Sequence, residues 1–176
     1  MGYLKDKRLS KDEYYLNIAK TVALRGTCLR RNYGAIIVNN DAQVSAGYTG
    51  SPRGFPNCCD LGSCLRNEYN IPSGERYDIC RSVHAEENAV INAARTGAEI
   101  NGAKIYVAGI DKDGNEVGAI PCKRCKKVII NSGIEEIIMR DSAGKIYREY
   151  TNNWKRDAEI NPDMLVEVPK KDQTQK

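Results

Sequence analysis

His84-Ala85-Glu86-Glu87-Asn88-Ala89-Val90-Ile91-Asn92-Ala93-Ala94-Arg95-Thr96-Gly97 reads as a helix over residues 84–96 closed by a glycine. The segments after it alternate in type: a strand over 104–108, a second helix over 122–132 closed by Gly133, then a strand over 135–139. Such alternation predicts an α/β domain, a central sheet flanked by helices, with the two later strands parallel. Upstream, Ala35-Ile36-Ile37-Val38 is a β-branched run, and 44–49 is a second strand candidate across the turn signal Asn39-Asn40-Asp41. Together they read as a hairpin. Further upstream, Ser10-Lys11-Asp12-Glu13 is a capping box that starts a helix. Tyr15, Ile18, Ala19, Val22 and Ala23 recur along it at helical spacing, and this apolar face ends near Gly26.

Between these ordered stretches, residues 50–82 are rich in Gly, Pro, Asn, Asp and Cys and show no sustained period. Loops of this length are usually functional or held by something extra, here expected to be a metal. The polar stretch 111–118 is placed to rim a pocket. After Ala143 no element is read with conviction, though Tyr147, Tyr150, Trp154 and Leu165 could pack on the sheet.

The 176 residues suit a single domain spanning 1–176, large enough to bury its core without staples. Hydrophobic residues make up 41% and charged residues 28%, which argues against wholesale disorder. The net charge of +4 is compatible with anionic substrates and too small to indicate nucleic acid. Aromatics at 7% also disfavour an open groove with stacking platforms. Lysines at 123–127 and in the polar tail from about 169 read as solvated faces. No secretory signal or membrane-length apolar run is present, so a cytoplasmic protein is expected. Seven cysteines in such a chain point to metal ligands and reduced thiols rather than disulfides.

His84 is the one histidine, Glu86 follows two residues later, and Pro121-Cys122-Lys123-Arg124-Cys125 lies downstream. A catalytic zinc takes three protein ligands and leaves its fourth position to water, and His84, Cys122 and Cys125 supply three. A closed structural zinc would need a fourth ligand but no carboxylate two residues after its histidine, nor a proline before its first cysteine. The pattern H-x-E followed by P-C-x-x-C is the signature of zinc nucleobase deaminases. If the helices hold, two helix N-termini converge on the metal and favour thiolate over thiol. Zinc lowers the pKa of bound water from about 15.7 toward about 7, giving a hydroxide nucleophile. Glu86 would take the water proton, deliver it to the ring nitrogen next to the amine-bearing carbon, and later protonate the departing amine. Glu87, adjacent on the helix, reads as an ordinary surface or pairing carboxylate.

With these residues the chain resembles the cytidine and deoxycytidylate deaminase superfamily, and most closely the deoxycytidylate (dCMP) deaminase family, over about residues 14–140. The resemblance rests on four segments: Arg31-Asn32-Tyr33-Gly34-Ala35-Ile36-Ile37-Val38, Gly47-Tyr48-Thr49-Gly50-Ser51-Pro52-Arg53-Gly54, Val83-His84-Ala85-Glu86-Glu87-Asn88-Ala89, and Pro121 to Cys125. It implies a three-layer α/β/α sandwich with a mixed central sheet, conversion of dCMP to dUMP and ammonia, nucleotide effectors, and homo-oligomers, often hexamers. It also implies a second, structural zinc at Cys28 and Cys58, which Cys64 and Cys80 could complete, leaving Cys59 over. Asn32, Tyr48, Arg53 and Ala85 are the substrate-contact candidates. For a phosphate, Arg30, Arg31, Arg53, Arg81, Lys123 and Arg124 are available. Thr49 stands where the family loop usually has Asn, Ile120 where Ser or Thr is common, and Lys123-Arg124 is unusually basic. These departures leave other substrates open, such as dCTP, a nucleoside or a guanine-type base, and beside them a non-catalytic nucleotide-binding role.

Overall fold

Ser10 and Glu13 exchange the two hydrogen bonds of a capping box, Ser10 Oγ accepting from the Glu13 amide at 3.2 Å and the Glu13 carboxylate from the Ser10 amide at 2.9 Å. Helix α1 (Lys11–Ala23) therefore begins at its predicted start. The computed structural model describes residues 8–72 and 74–155; the N-terminal seven residues, Leu165 and the tail from 169 lie outside them. After α1 come β1 (Arg31–Asn39) and β2 (Ala42–Tyr48), then the short helices α2 (Cys58–Leu61) and α3 (Leu65–Glu68) and a 3₁₀ turn at Tyr77–Ile79. The order continues α4 (Ala85–Thr96), β3 (Lys104–Asp111), β4 (Glu116–Val117), α5 (Lys123–Asn131), β5 (Glu136–Arg140), β6 (Ile146–Tyr150) and α6 (Thr151–Trp154). The β1–β2 hairpin turns on Asn40 and Asp41, both at positive φ (47° and 61°), a conformation that Asn and Asp tolerate in two-residue loops.

The sheet runs β2-β1-β3-β5-β6, with β4 paired to β3 beyond the end of β5. Among the described residues only the β3–β5 pair is parallel, as the intervening α5 crossover requires, so the sheet is mixed. Alternation along the strands sorts the apolar residues into two layers. Ile36, Val38, Tyr106, Ala108 and Ile138 meet Tyr15, Leu16 and Ala19 of α1. Ala35, Ile37, Ile105, Val107, Ile137 and Met139 meet Ala85, Ala89 and Ala93 of α4 and Ile129 of α5. The result is the three-layer α/β/α sandwich, and each fully buried isoleucine contributes about 1.5–3 kcal/mol of apolar burial.

Two features hold α4 against the edge strand β2. A Cβ added at Gly47 would lie 2.2 Å from the Ala89 nitrogen and 2.5 Å from the Ala85 oxygen, so only glycine permits this approach. Three side chains then stitch helix to strand: Ser45 Oγ donates to the Ala89 carbonyl at 2.7 Å, Asn92 Nδ2 to the Ala46 carbonyl at 2.7 Å, and Asn88 Nδ2 to the Tyr48 carbonyl at 2.8 Å. The asparagines satisfy carbonyls that an edge strand would otherwise leave unpaired.

Some sequence readings are corrected. β1 starts four residues before Ala35, because Arg31, Asn32 and Tyr33 pair with Asp111, Ile110 and Gly109 although they carry no apolar pattern. Residues 111–118 do not rim the cavity; they fold back as a turn and pair through β4, and Ala119 and Ile120 form that wall instead. Trp154 is buried in the core, whereas Tyr147 and Tyr150 stay 41% and 45% exposed on the edge strand β6. Cys122 is the N-cap of α5 rather than part of its first turn.

Candidate active site

An antiparallel bridge between Gly50 and Val83 delivers the chain to His84, which caps α4 in extended geometry (φ −71°, ψ 154°). Cys122 caps α5 in the same way (φ −69°, ψ 165°), and Cys125 is the third residue of that helix. Both caps point into one space. His84 Nδ1 lies 3.5 Å from Cys122 Sγ and 3.3 Å from Cys125 Sγ, and the three ligand atoms all lie within 4.8 Å of one another. Tetrahedral zinc with ordinary Zn–N and Zn–S bonds would place nitrogen and sulfur about 3.6 Å apart, so the residues fit that ion. Among the described residues no other group of His, Cys, Asp or Glu ligand atoms gathers this closely.

The electrostatics suit a metal. The hydrogen bond with Cys125 draws the Cys122 thiol down to about 3 against the opposing effect of burial, with His84 assisting. Cys125 is pushed up by the same shared hydrogen bond and by burial. For His84, burial disfavours the imidazolium, but the Cys122 hydrogen bond and the Glu86 charge outweigh it and raise the ring's pKa. Burial raises the Glu86 carboxyl above its ordinary range; the side chain is 6% exposed and lines the cavity.

Glu87 ties the two helices together. Its carboxylate accepts from the His84 amide at 3.4 Å and from Arg124 Nη2 at 2.6 Å, so one side chain spans the His84 cap and the segment between the two cysteines. The sequence marks it as a pairing carboxylate but cannot name Arg124, 37 residues away. Tyr77 meets the His84 ring edge-on, centroids 4.8 Å apart.

A cavity of about 410 Å³ opens beside this group, lined by His84, Glu86, Cys122, Tyr33, Thr49 and Tyr77 among others. Thr49 is buried, and its hydroxyl accepts from the Tyr33 amide at 3.1 Å. Of the phosphate candidates, Arg30, Arg31 and Arg81 reach the lining, and so does Arg66, which the sequence reading missed. The four substrate-contact candidates do not line it. Asn32 closes the turn at Cys28 through bonds of 2.9 and 3.1 Å to its backbone, and Arg53 donates to Asn92 at 2.6 Å. Tyr48 is 37% exposed, and the Ala85 methyl is sealed in the core. Cys28, Cys58, Cys64 and Cys80 share the cavity wall with His84, Glu86 and Cys122, while Cys59 is exposed. Burial pushes the Cys58 thiol up against the hydrogen bond with Ser82, and Cys28, Cys64 and Cys80 each add to the rise, but these four sulfurs do not gather as closely as the His84 group.

A three-layer α/β/α domain presenting His and Cys-x-x-Cys from two helix caps beside a buried glutamate defines the cytidine deaminase-like class. The family model described as the cytidine and deoxycytidylate deaminase zinc-binding region matches residues 9–140. The chain is 33% identical over 135 residues to the deoxycytidylate deaminase of Schizosaccharomyces pombe, covering 77% of this chain and 38% of that protein. It is 33% identical over 131 residues to the deoxycytidylate deaminase of Mycobacterium phage D29, covering 72% of this chain and 91% of the relative. Among solved structures, the dCMP deaminase of cyanophage S-TIM5 in complex with dCMP and dUMP superposes with a TM-score of 0.51 at 26% identity, covering 71% of this chain and 76% of that one. The chain thus belongs to the cytidine and deoxycytidylate deaminase family, while spanning less than half the length of the fission-yeast relative.

Proposed function

We propose that the chain is a zinc-dependent deaminase that converts dCMP to dUMP and ammonia. The observation that carries this is the meeting of His84 Nδ1 and two cysteine sulfurs within 4.8 Å, at the wall of a cavity that also holds the buried Glu86. Held by His84, Cys122 and Cys125, zinc supplies Lewis acidity and a water acidified to near neutral pH. Glu86 would take one proton of the attacking water and deliver it to the pyrimidine nitrogen beside the amine-bearing carbon, then carry the second, from the hydroxyl now on that carbon, to the departing amine as the carbonyl forms. Its raised pKa suits a group that must hold a proton during each transfer. The bonds of Glu87 keep the His84 cap and the cysteine segment in register. The choice of dCMP is supported by the names of the relatives and by the nucleotides bound to the cyanophage enzyme.

The reading extends to a second zinc at Cys28, Cys58, Cys64 and Cys80, supported by their common cavity wall and by a ligand set that suits a closed site. Two zinc ions per chain by elemental analysis, falling to one in Cys58→Ser, is the expected result; one in the unmodified protein removes it. A cytoplasmic homo-oligomer, a hexamer by family resemblance, completes the proposal. No helix among the described residues is long and apolar enough to cross a membrane.

The test is to incubate zinc-loaded protein with dCMP, dCTP, CMP, deoxycytidine, dGMP and a cytosine-containing single strand, following ammonia and product mass. Turnover of dCMP that falls roughly 10²- to 10⁴-fold in Glu86→Gln, with zinc retained, is expected. Turnover of another member moves the substrate, and none at all removes the enzyme reading.

A further inference from the structure

Among the described residues four arginines line the cavity, Arg30, Arg31, Arg66 and Arg81, against one carboxylate, Glu86. Arg66 differs from the others in burial. It stands on α3 inside the cysteine-rich loop, is 8% exposed, and its Nε is buried without a hydrogen-bond partner. One end of its fork is anchored, Nη2 donating to the Pro72 carbonyl at 2.5 Å. Its guanidinium carbon lies 4.9 Å from the centre of the Tyr77 ring, which itself meets the His84 ring edge-on. Two successive contacts of 4.9 and 4.8 Å bring the guanidinium to within about 10 Å of the imidazole, a span comparable to that from base to phosphate in a mononucleotide. Arg30 Nη1, on the same wall, is also buried with no partner. A desolvated guanidinium left short of partners is costly, and an anion that takes up its free donors removes that cost. Stacking on Tyr77 fixes the fork in advance, so little side-chain freedom is lost when it binds.

We propose that Arg66, assisted by Arg30, receives the 5′-phosphomonoester of the substrate and is the specificity-determining residue that separates a cytosine nucleotide from its nucleoside. This rests on the deaminase reading of the site. The phosphate lies at the Arg66 fork, on the side toward Arg30, while the base lies at Glu86 and the candidate metal ligands. The cysteine-rich loop then has a direct part in recognition, because α3 and the Tyr77 turn bring Arg66 to the cavity.

The test is calorimetric binding of dCMP and deoxycytidine to zinc-loaded full-length Glu86→Gln protein, alone and with Arg66→Met or Arg66→Lys. Methionine keeps an apolar stem over Tyr77 and removes the fork; lysine keeps the charge. The Arg66→Met change is expected to weaken dCMP binding roughly 10- to 100-fold while deoxycytidine stays within about twofold and zinc content is unchanged. Arg66→Lys should recover part of the loss, since a point charge replaces a fork. Inorganic phosphate should compete with dCMP, and not with deoxycytidine, for protein with Arg66 intact, a measurement that needs no Arg66 variant to fold. Equal affinity for the two ligands, equal weakening of both in Arg66→Met, or loss of metal with the phosphate preference intact would each overturn the proposal, the last assigning Arg66 to balancing the charge of the cysteine cluster. Phosphate-selective binding that depends on Arg66, without ammonia release by the Glu86 protein, would leave this subsite standing and remove the deaminase reading instead.

Discussion

Replacing Gly47 by alanine tests whether the close approach of β2 to α4 sets the geometry of the catalytic group. The new Cβ would fall 2.2 Å from the Ala89 nitrogen, 2.5 Å from the Ala85 oxygen and 2.7 Å from the Asn88 carbonyl carbon. All three atoms are backbone, so no side chain can rotate away. Ordinary contacts of this kind are about 3.5 Å, which requires α4 to retreat by roughly 1 Å. The retreat would stretch the bonds from Ser45, Asn88 and Asn92 and carry His84 and Glu86 away from Cys122 and Cys125. Overpacking costs about 1–3 kcal/mol, less the roughly 0.4–1 kcal/mol gained by restricting the unfolded chain at a former glycine. A net loss of about 1–2 kcal/mol lowers the Tm of a domain this size by roughly 2–8 °C. A displacement of about 1 Å at the reacting groups costs about 10²-fold in turnover. Denaturant unfolding, zinc content and the ammonia assay measure the three consequences. Gly118→Ala is the comparison, since its Cβ meets nothing within 4 Å and its stability should stay within about 0.5 kcal/mol of the parent. Should Gly47→Ala match Gly118→Ala in stability and rate, the close approach does not hold the site and the reasoning fails.

Removing the Glu87–Arg124 bridge, by Glu87→Gln or Arg124→Ala, is expected to weaken zinc binding about 10- to 100-fold in competition with a chelating dye; unchanged affinity would show that the helix caps alone hold the ligands. A pH dependence follows from Glu116, whose carboxyl is held below the ordinary glutamate range by the hydrogen bond from Lys20 at 2.9 Å and by Arg140 at 3.2 Å. A lowered folded-state pKa contributes stability that is present above the unfolded value of about 4.3 and lost as pH falls through the folded value. Glu116→Gln should therefore destabilise at pH 7, with the gap to the parent closing below about pH 4; a gap independent of pH in denaturant titrations would assign the loss to packing.

The readings that held were those carried by neighbours in the chain. The Ser10–Glu13 box, the glycine stop at 97, the Asn40-Asp41 turn and the two-residue alternation of Ile36, Ile37 and Val38 depend on backbone geometry repeating over two to four residues. The spacing of His84 to Glu86 and of Cys122 to Cys125 belongs to this class, which is why the candidate metal-ligand set and the carboxylate beside it were legible before any fold. What required tertiary structure lies in the aperiodic loop and between distant elements. Arg66 looks like any polar loop residue until α3 and the Tyr77 turn place it at the cavity wall, desolvated and short of partners. Asn32, Tyr48 and Arg53 looked equally available, yet backbone turns and contacts to α4 hold them outside the lining. β6 was missed because it is an edge strand with Tyr147, Arg148 and Tyr150 exposed and no apolar alternation to read. Local geometry is written in adjacent residues and so is decided by sequence, whereas which side chains lose their water depends on where the chain returns, and only the packed molecule decides that.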